Sequence, residues 1–156
     1  MTSKKYAHDV SKLIENGEKA AVERLNPFYE SKDTTQVSVV DKESNAFSMT
    51  HSLGMPSGVI TEGLGFMYNG CMGVFDPRPG RAGSLSPGKS RFSSICPSIL
   101  FDQGKLKMVI GAPGGTHIVM GVLQAILNVV DFKMSMQDAV SAPRFSGNSP
   151  LIDVSN

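Results

Sequence analysis

Residues 33–41 have the sequence DTTQVSVVD, in which a pair of threonines stands at the start of a strand-like pattern. This stretch decides the fold. Side chains alternate along a β-strand, so Val37 and Val39 share one face and the residues between them share the other. Thr34, at the start of the strand, is either an ordinary β-former or a nucleophile. A threonine hydroxyl needs a base, and a cut between Asp33 and Thr34 would supply one as the freed α-amine.

The next residues predict a hairpin. A polar KESN segment separates two strand-like runs, at residues 35–41 and 46–50. Such a hairpin would return Thr50 and Ser52 to the start of the first strand, near Thr34. A hydroxyl there could orient or polarise the threonine hydroxyl, and a pair of ordinary strand-end hydroxyls is the alternative.

Composition limits the possible functions. The 156 residues are enough for one domain with a core, and a net charge of +1 does not indicate a nucleic acid or an anionic membrane as partner. There is no apolar run of membrane-spanning length and no signal-peptide pattern, so we expect a cytoplasmic location. Cys71 and Cys96 are expected to be reduced thiols, and the histidines form no cluster, so we predict no metal and no cofactor.

The segment before Thr34 predicts a helix followed by a linker. Residues 3–24 show helical spacing of apolar side chains after a capping Ser3, and Gly17 either ends this helix or only weakens it. Residues 25–33 contain a proline and end in polar residues, which is typical of a linker. We therefore place a boundary between regions 1–33 and 34–156.

The middle of the chain predicts loops and a second hairpin. Residues 54–90 are rich in Gly and Pro, and the loop at 75–89 carries several cations; it is either solvated or lines a pocket. A strand leading to Phe101, a tight turn at 102–105 and a strand at 106–110 predict the hairpin.

A glycine-rich segment, GAPGGT at residues 111–116, joins this hairpin to a long apolar helix predicted at 117–130. We expect that helix to be largely buried, because apolar residues lie on most of its surface. The amides of Gly114 and Gly115 could form an oxyanion hole, since amides at a helix N-terminus point toward negative charge. Tight packing of strand against helix is the more common reason for such glycines. A short capped helix opening at 135–138 follows, and 144–156 is predicted to be extended.

Together these segments resemble the small-subunit region of the γ-glutamyltransferase family of N-terminal nucleophile hydrolases. The resemblance rests on TTQVSVVD at 34–41, SSICP at 93–97, GAPGGT at 111–116 and APRF at 142–145, in that order. It covers nearly all of residues 34–156, and residues 1–33 resemble the end of the family's large subunit. The implied fold is α+β, an αββα sandwich of which this chain supplies roughly the small-subunit half.

The resemblance implies an enzyme that cuts itself before a threonine and then forms an acyl-enzyme with a γ-glutamyl amide. Thr34 matches the nucleophile, and Ser52 stands where a hydroxyl contacts it. Gly114 and Gly115 match the oxyanion-hole pair. The serine pair that helps to hold the substrate carboxylate is matched by Ser93 and Ser94.

Three positions depart from the family pattern. An acidic segment that binds the substrate's α-amino group is replaced by MGVF at 72–75, and Asp76 is nearby but displaced. Gly54 stands where the family often has an asparagine, and Asp33 precedes the nucleophile in place of an amide side chain. Relatives with an FDPRPG loop act, or are thought to act, on other amides, so a cephalosporin-acylase-like enzyme is an alternative.

The family's large subunit contributes an arginine and half of the sandwich, and this sequence contains almost none of it. Half a sandwich would leave one sheet face and several helices exposed. We therefore expect a large-subunit-like chain or a homo-oligomer as partner, besides the small-molecule amide. A catalytically inactive homologue or fragment that pairs with another chain is the second alternative.

Overall fold

Antiparallel hairpins and α-helices make up the part of the chain that the computed structural model describes, residues 3–19, 33–147 and 152–155. The chain is of the α+β class. Short 3-10 turns precede Phe75 and the second helix. The elements are α1 Lys4–Glu15, β1 Thr34–Val40, β2 Ala46–Ser52, β3 Pro56–Ile60, β4 Met67–Asn69, β5 Ser98–Asp102, β6 Lys105–Ile110, α2 Ile118–Val130, α3 Met136–Ser141, β7 Arg144–Ser146 and β8 Asp153–Ser155.

Helix α1 begins where the sequence predicts and ends earlier. The Ser3 hydroxyl accepts a hydrogen bond from the amide of Tyr6 at 3.1 Å, so the predicted cap is confirmed. Gly17 ends the helix: its φ is +78°, and its amide donates to the Ile14 carbonyl at 2.9 Å. A glycine in the left-handed conformation is a common helix terminator because it has no Cβ to clash.

The predicted extension of this helix is therefore wrong for residues 16–19. Residues 20–24 of the predicted helix lie outside the described residues. So does the predicted linker at 25–33, except for Asp33.

Strands β1 and β2 form the predicted hairpin, with Thr34 opposite Ser52 and Val40 opposite Ala46. The turn is held by Asp41, whose carboxylate accepts hydrogen bonds from the backbone amide of Asn45 at 2.8 Å and its side-chain amide at 2.7 Å. The hydrogen bond from the Asn45 side chain, with those from the turn amides, lowers the pKa of Asp41. Strand β2 runs two residues further than predicted and so carries Ser52 within the ladder.

The two faces of this hairpin differ in polarity. Thr34, Gln36 and Ser38 lie on one face, and the cross-strand pairs Val37–Met49 and Val39–Phe47 lie on the opposite face. That apolar face is bare, as Phe47 is 53% exposed and Val39 51%. The expectation of an uncovered sheet face is confirmed for this chain.

The core lies between the second hairpin and the two C-terminal helices. Met108 of β6, Val129 of α2 and Ala139 of α3 are buried together. Leu100, Ile110, Ile126 and Met134 pack against them. A cavity of about 410 Å³ remains between this cluster and the polar face of the first hairpin at Ser38 and Val40.

Helix α2 is buried on one side only, so the expectation of a largely buried helix is wrong for this chain. The helix begins after a 3-10 turn at Gly115–His117. Its buried residues are Ile118, Val122, Ala125 and Val129, and its exposed apolar residues are Val119, Leu123, Leu127 and Val130. Apolar periodicity predicts which residues prefer burial, but it does not supply the atoms that would cover them.

The C-terminal segments pack back on α2. Ser135 caps α3 by accepting a hydrogen bond from the amide of Asp138 at 3.1 Å, as the sequence predicts. The predicted extended segment forms strands β7 and β8, and Gln124 anchors it by exchanging hydrogen bonds with the backbone of Phe145 at 2.7 and 3.0 Å. None of the helices in the described ranges is long and apolar enough to cross a membrane.

Candidate active site

Thr34 and Ser52 meet at the open end of the first hairpin. They are opposite each other in the register, so their side chains share a face, and their hydroxyl oxygens lie 2.9 Å apart. Both residues are half-buried. The Ser52 hydroxyl also accepts a hydrogen bond from the amide of Gly54 at 2.8 Å. With that lone pair occupied, Ser52 can still donate its proton to Thr34 and so fix the direction of the threonine oxygen.

The bond before Thr34 is held in the same ladder. The amide of Leu53 donates to the carbonyl oxygen of Asp33 at 3.3 Å. A donor at this oxygen polarises the carbonyl and favours negative charge that develops on it. The hairpin therefore orients both the Thr34 hydroxyl and the neighbouring carbonyl.

The glycine pair adopts backbone conformations that favour glycine. Gly114 has a φ of +133° and Gly115 a φ of +57°, both in the region that L-residues with a Cβ rarely adopt. The two residues lead into the 3-10 turn and then into α2. The first amides of a helix lack partners within the helix, so this end of α2 presents donors.

The serine pair is divided between two environments. The Ser94 hydroxyl donates to the carbonyl of Gly115 and ties residues 93–94 to the glycine segment. The Ser93 hydroxyl accepts a hydrogen bond from the amide of Ile95 at 3.3 Å, and Ser93 is exposed. The structure thus brings Ser94 and Gly115 together and leaves Ser93 facing solvent.

Gln36 connects the threonine strand to the glycine segment, and the sequence analysis did not identify it. A Cβ atom placed on Gly111 would lie 2.7 Å from Nε2 of Gln36 and closer still to its Oε1, so the carboxamide rests directly on that backbone. Beside it, the Ser48 hydroxyl donates to the carbonyl of Ile110 at 3.2 Å. The sequence feature that points to Gln36 is a long polar side chain two residues from Thr34 on the same strand face.

Asp76, the displaced carboxylate, is already paired. Its Oδ1 accepts hydrogen bonds from the Arg78 amide at 2.9 Å and Nε at 3.0 Å, and its Oδ2 accepts one from Nη2 at 2.9 Å. Its side chain is only 10% exposed. The hydrogen bond from the Arg78 side chain lowers the pKa of Asp76 to about 2. This carboxylate is therefore committed to its own loop.

The loop around Asp76 is held together internally. The amide of Asp76 donates to the Gly83 carbonyl at 2.8 Å, and the buried Ser84 hydroxyl accepts from the amide of Arg81 at 2.7 Å and donates to the carbonyl of Arg78. Many of its residues remain solvent-exposed. In the described ranges no three His, Cys, Asp or Glu side chains lie close enough to hold a metal ion.

A threonine at a strand start, a hydroxyl beside it and a glycine pair before a helix are the arrangement expected of an N-terminal nucleophile hydrolase. A sequence model described as "Gamma-glutamyltranspeptidase" matches residues 1–153, and the chain belongs to this family.

Curated relatives agree. The chain is 44% identical over 117 residues to the Acylase ACY 1 proenzyme of Pseudomonas sp. (strain V22), a match that covers 74% of this chain and 21% of the relative. It is 32% identical over 161 residues to the Glutathione hydrolase proenzyme of Escherichia coli (strain K12), which covers 93% of this chain and 28% of the relative. The chain thus spans about a quarter of the length of these relatives.

Solved structures show the same fold. A mutant of the Helicobacter pylori gamma-glutamyltranspeptidase superposes with a TM-score of 0.66 at 36% identity, over 72% of this chain and 67% of the other. The Pseudomonas nitroreducens gamma-glutamyltranspeptidase complexed with L-DON gives 0.66 at 37% identity, over 72% and 64%. The predicted family and fold class are confirmed.

Proposed function

We propose that this chain supplies the catalytic nucleophile of an amidohydrolase or acyltransferase of the gamma-glutamyltranspeptidase family, with Thr34 as the nucleophile. The observation that carries the proposal is the 2.9 Å contact between the hydroxyls of Thr34 and Ser52. This contact gives a weak alcohol nucleophile a fixed direction. The proenzyme names of the relatives support self-activation.

Self-cleavage begins with the intact bond between Asp33 and Thr34. The Thr34 oxygen attacks the Asp33 carbonyl carbon, the C–N bond breaks, and the nitrogen takes up the proton to become an amine. Water then hydrolyses the resulting ester, which leaves a carboxylate on Asp33 and a free hydroxyl on Thr34. The Leu53 amide, 3.3 Å from the Asp33 oxygen, stabilises the charge that develops there.

Turnover reuses the same hydroxyl. The new α-amine of Thr34 accepts the hydroxyl proton as the oxygen attacks a substrate amide, and the amine product leaves with that proton. The amides of Gly114 and Gly115 stabilise the oxyanion, and Ser93 and Ser94 help to hold the substrate carboxylate. For this role the Ser94 hydroxyl turns its proton from the Gly115 carbonyl to the substrate. Water or an acceptor amine then resolves the acyl-enzyme.

The state of Asp76 favours an acyl group without an α-ammonium as a second candidate substrate class. Both oxygens of Asp76 already accept hydrogen bonds from Arg78, and this pairing makes the carboxylate a poorer partner for a γ-glutamyl ammonium. The acylase among the relatives is consistent with this choice. On this proposal the acyl group has a carboxylate for the serine pair and no α-ammonium, as in a glutaryl amide.

A large-subunit-like partner follows from the bare sheet face. Val39 and Phe47 are 51% and 53% exposed, and an apolar surface of this kind is typical of an interface. We propose that region 34–156 pairs with such a chain, of which region 1–33 is the end. A second copy of this chain is the alternative occupant.

Intact mass of the full-length protein that carries this chain tests the proposal. We expect a fragment that begins at Thr34, no such fragment from Thr34→Ala, and normal processing of the matched control Thr35→Ala. An uncut parent would instead indicate a catalytically inactive homologue. A Thr34→Ala variant that is processed and active would remove Thr34 from the mechanism.

A further inference from the structure

The side chain of Gln36 is the centre of a polar network between the strands of the first hairpin. The two N–H groups of its Nε2 share three acceptors, the hydroxyls of Ser48 at 3.0 Å and Ser38 at 3.1 Å and the carbonyl of Val37 at 3.0 Å, and its Oε1 accepts from the hydroxyl of Thr50. The donors and acceptor of the carboxamide are all used. Satisfied polar networks of this kind hold a side chain in one position.

The same carboxamide rests on Gly111. The φ of Gly111 lies outside the left-handed region, so its backbone would accept an alanine. The obstacle to a Cβ there is the Gln36 side chain, whose Nε2 would be 2.7 Å away. The Gln36 side chain of β1 therefore favours glycine at position 111, and the backbone conformation of Gly111 does not.

These two residues connect the proposed nucleophile to the proposed oxyanion hole. Gln36 lies two residues after Thr34 on the same face of β1, and Gly111 lies three residues before Gly114. The Ser48 hydroxyl, itself bonded to Gln36, fixes the Ile110 carbonyl at 3.2 Å on the preceding residue. A displacement of the carboxamide would move the start of the glycine segment relative to the hairpin.

We propose that Gln36 is a positioning residue that sets the glycine pair at the correct distance from Thr34 by packing its carboxamide against Gly111. The inference rests on the proposed function, because it assumes that Thr34 attacks and that Gly114 and Gly115 stabilise the oxyanion. Self-cleavage relies on the Leu53 amide within the hairpin, so turnover depends on Gln36 more strongly than self-cleavage does.

A double-mutant cycle in the full-length protein tests this role, with a glutaryl anilide and a γ-glutamyl anilide as probes. Since a displacement of about 1 Å can cost about 100-fold in rate, we expect Gln36→Ala to lower kcat by about 10- to 100-fold with little change in KM. Gly111→Ala should cause a similar loss in the parent. In the Gln36→Ala background the added Cβ has room, and the further loss should be about threefold or less, a strong departure from additivity.

The controls are Gln137→Ala on the exposed face of α3 and Gly147→Ala, where a Cβ would meet nothing within 4 Å among the residues that the structure describes. Both should keep the parent kcat. If a Thr34 terminus still forms, either of two results would overturn the positioning role. One is an equal loss of turnover and self-cleavage in Gln36→Ala, and the other is additive losses in the cycle. A parent without a Thr34 terminus would overturn the proposed function and this inference together.

Discussion

The amide nitrogen of Leu53 lies 3.3 Å from the carbonyl oxygen of Asp33, so the ladder of the first hairpin continues past Thr34 to the residue before it. Two adjacent cross-strand residue pairs of this hairpin thus have different roles. Thr34 and Ser52 bring their hydroxyls together, and Asp33 and Leu53 fix the carbonyl group. The hydrogen-bonded turn at Asp41 sets the register of both pairs.

Ser52→Ala should lower both self-cleavage and turnover by about 10- to 100-fold, because the Thr34 hydroxyl loses the group that directs it. The hydrogen bond from the Gly54 amide to the Ser52 hydroxyl is also lost, so we expect a cost in unfolding free energy of about 1 kcal/mol. Enzyme kinetics and chemical denaturation measure the two effects. Ser52→Thr should retain activity, and Ser57→Ala, which removes a comparable hydroxyl acceptor from the Val59 amide, should affect stability alone. Unchanged turnover in Ser52→Ala would exclude its role.

Gly54→Asn should destabilise the protein, although asparagine tolerates a positive φ better than most residues. Gly54 has a φ of +68°, and a Cβ there would lie 2.9 Å from the Sγ atom of Cys71. Removing that sulfur with Cys71→Ala should restore much of the lost stability, and the two substitutions should be non-additive by about 1 kcal/mol or more. Thermal unfolding of the four proteins in the cycle measures this coupling. Additive effects would show that the sulfur is not the obstacle.

The Asp76 carboxyl should titrate with a midpoint near pH 2 in the folded protein, against 3.8 for an unperturbed group. Because the folded pKa is the lower one, the carboxylate contributes stability that is present above about pH 3.8 and is lost as the pH falls toward 2. Carboxyl chemical shifts followed by NMR give the midpoint. Asp76→Asn should remove this acid dependence, and Asp102→Asn in the turn between β5 and β6 is the control. A midpoint near 3.8 would mean that Arg78 does not hold the carboxylate in solution.

Phe47→Asp should weaken assembly with the proposed large-subunit-like chain, since it places a charge in the middle of the bare apolar face. Lys42→Asp, a charge change in the adjoining exposed turn, should leave assembly intact. Size-exclusion chromatography of the two variants under equal expression separates these outcomes. Normal assembly of Phe47→Asp would show that this face is not the interface.

The sequence predicted the features that depend on neighbouring residues. The polar turn after Val40 and the alternation on either side sufficed to place Ser52 beside Thr34, and Ser135 was recognisable as a cap. Features that depend on distant residues were not accessible. The contact of Gln36 with Gly111 joins β1 to the segment after β6, which is far away in the chain. The pairing of Asp76 depends on how its loop closes around Arg78. The exposure of α2 was missed because periodicity does not reveal whether a covering surface is present.

In the proposed self-cleavage the Thr34 hydroxyl and the Asp33 carbonyl belong to consecutive residues of one hairpin, and this would set the kinetics of activation. Such an attack is intramolecular, so once the site has formed the half-life of the bond should be independent of protein concentration and no activating protease should be needed. Until the bond breaks, the nitrogen of Thr34 is an amide and has no basicity, so hydrolysis of other amides cannot start early. The proposed cleavage therefore begins only when the two strands of the hairpin have paired.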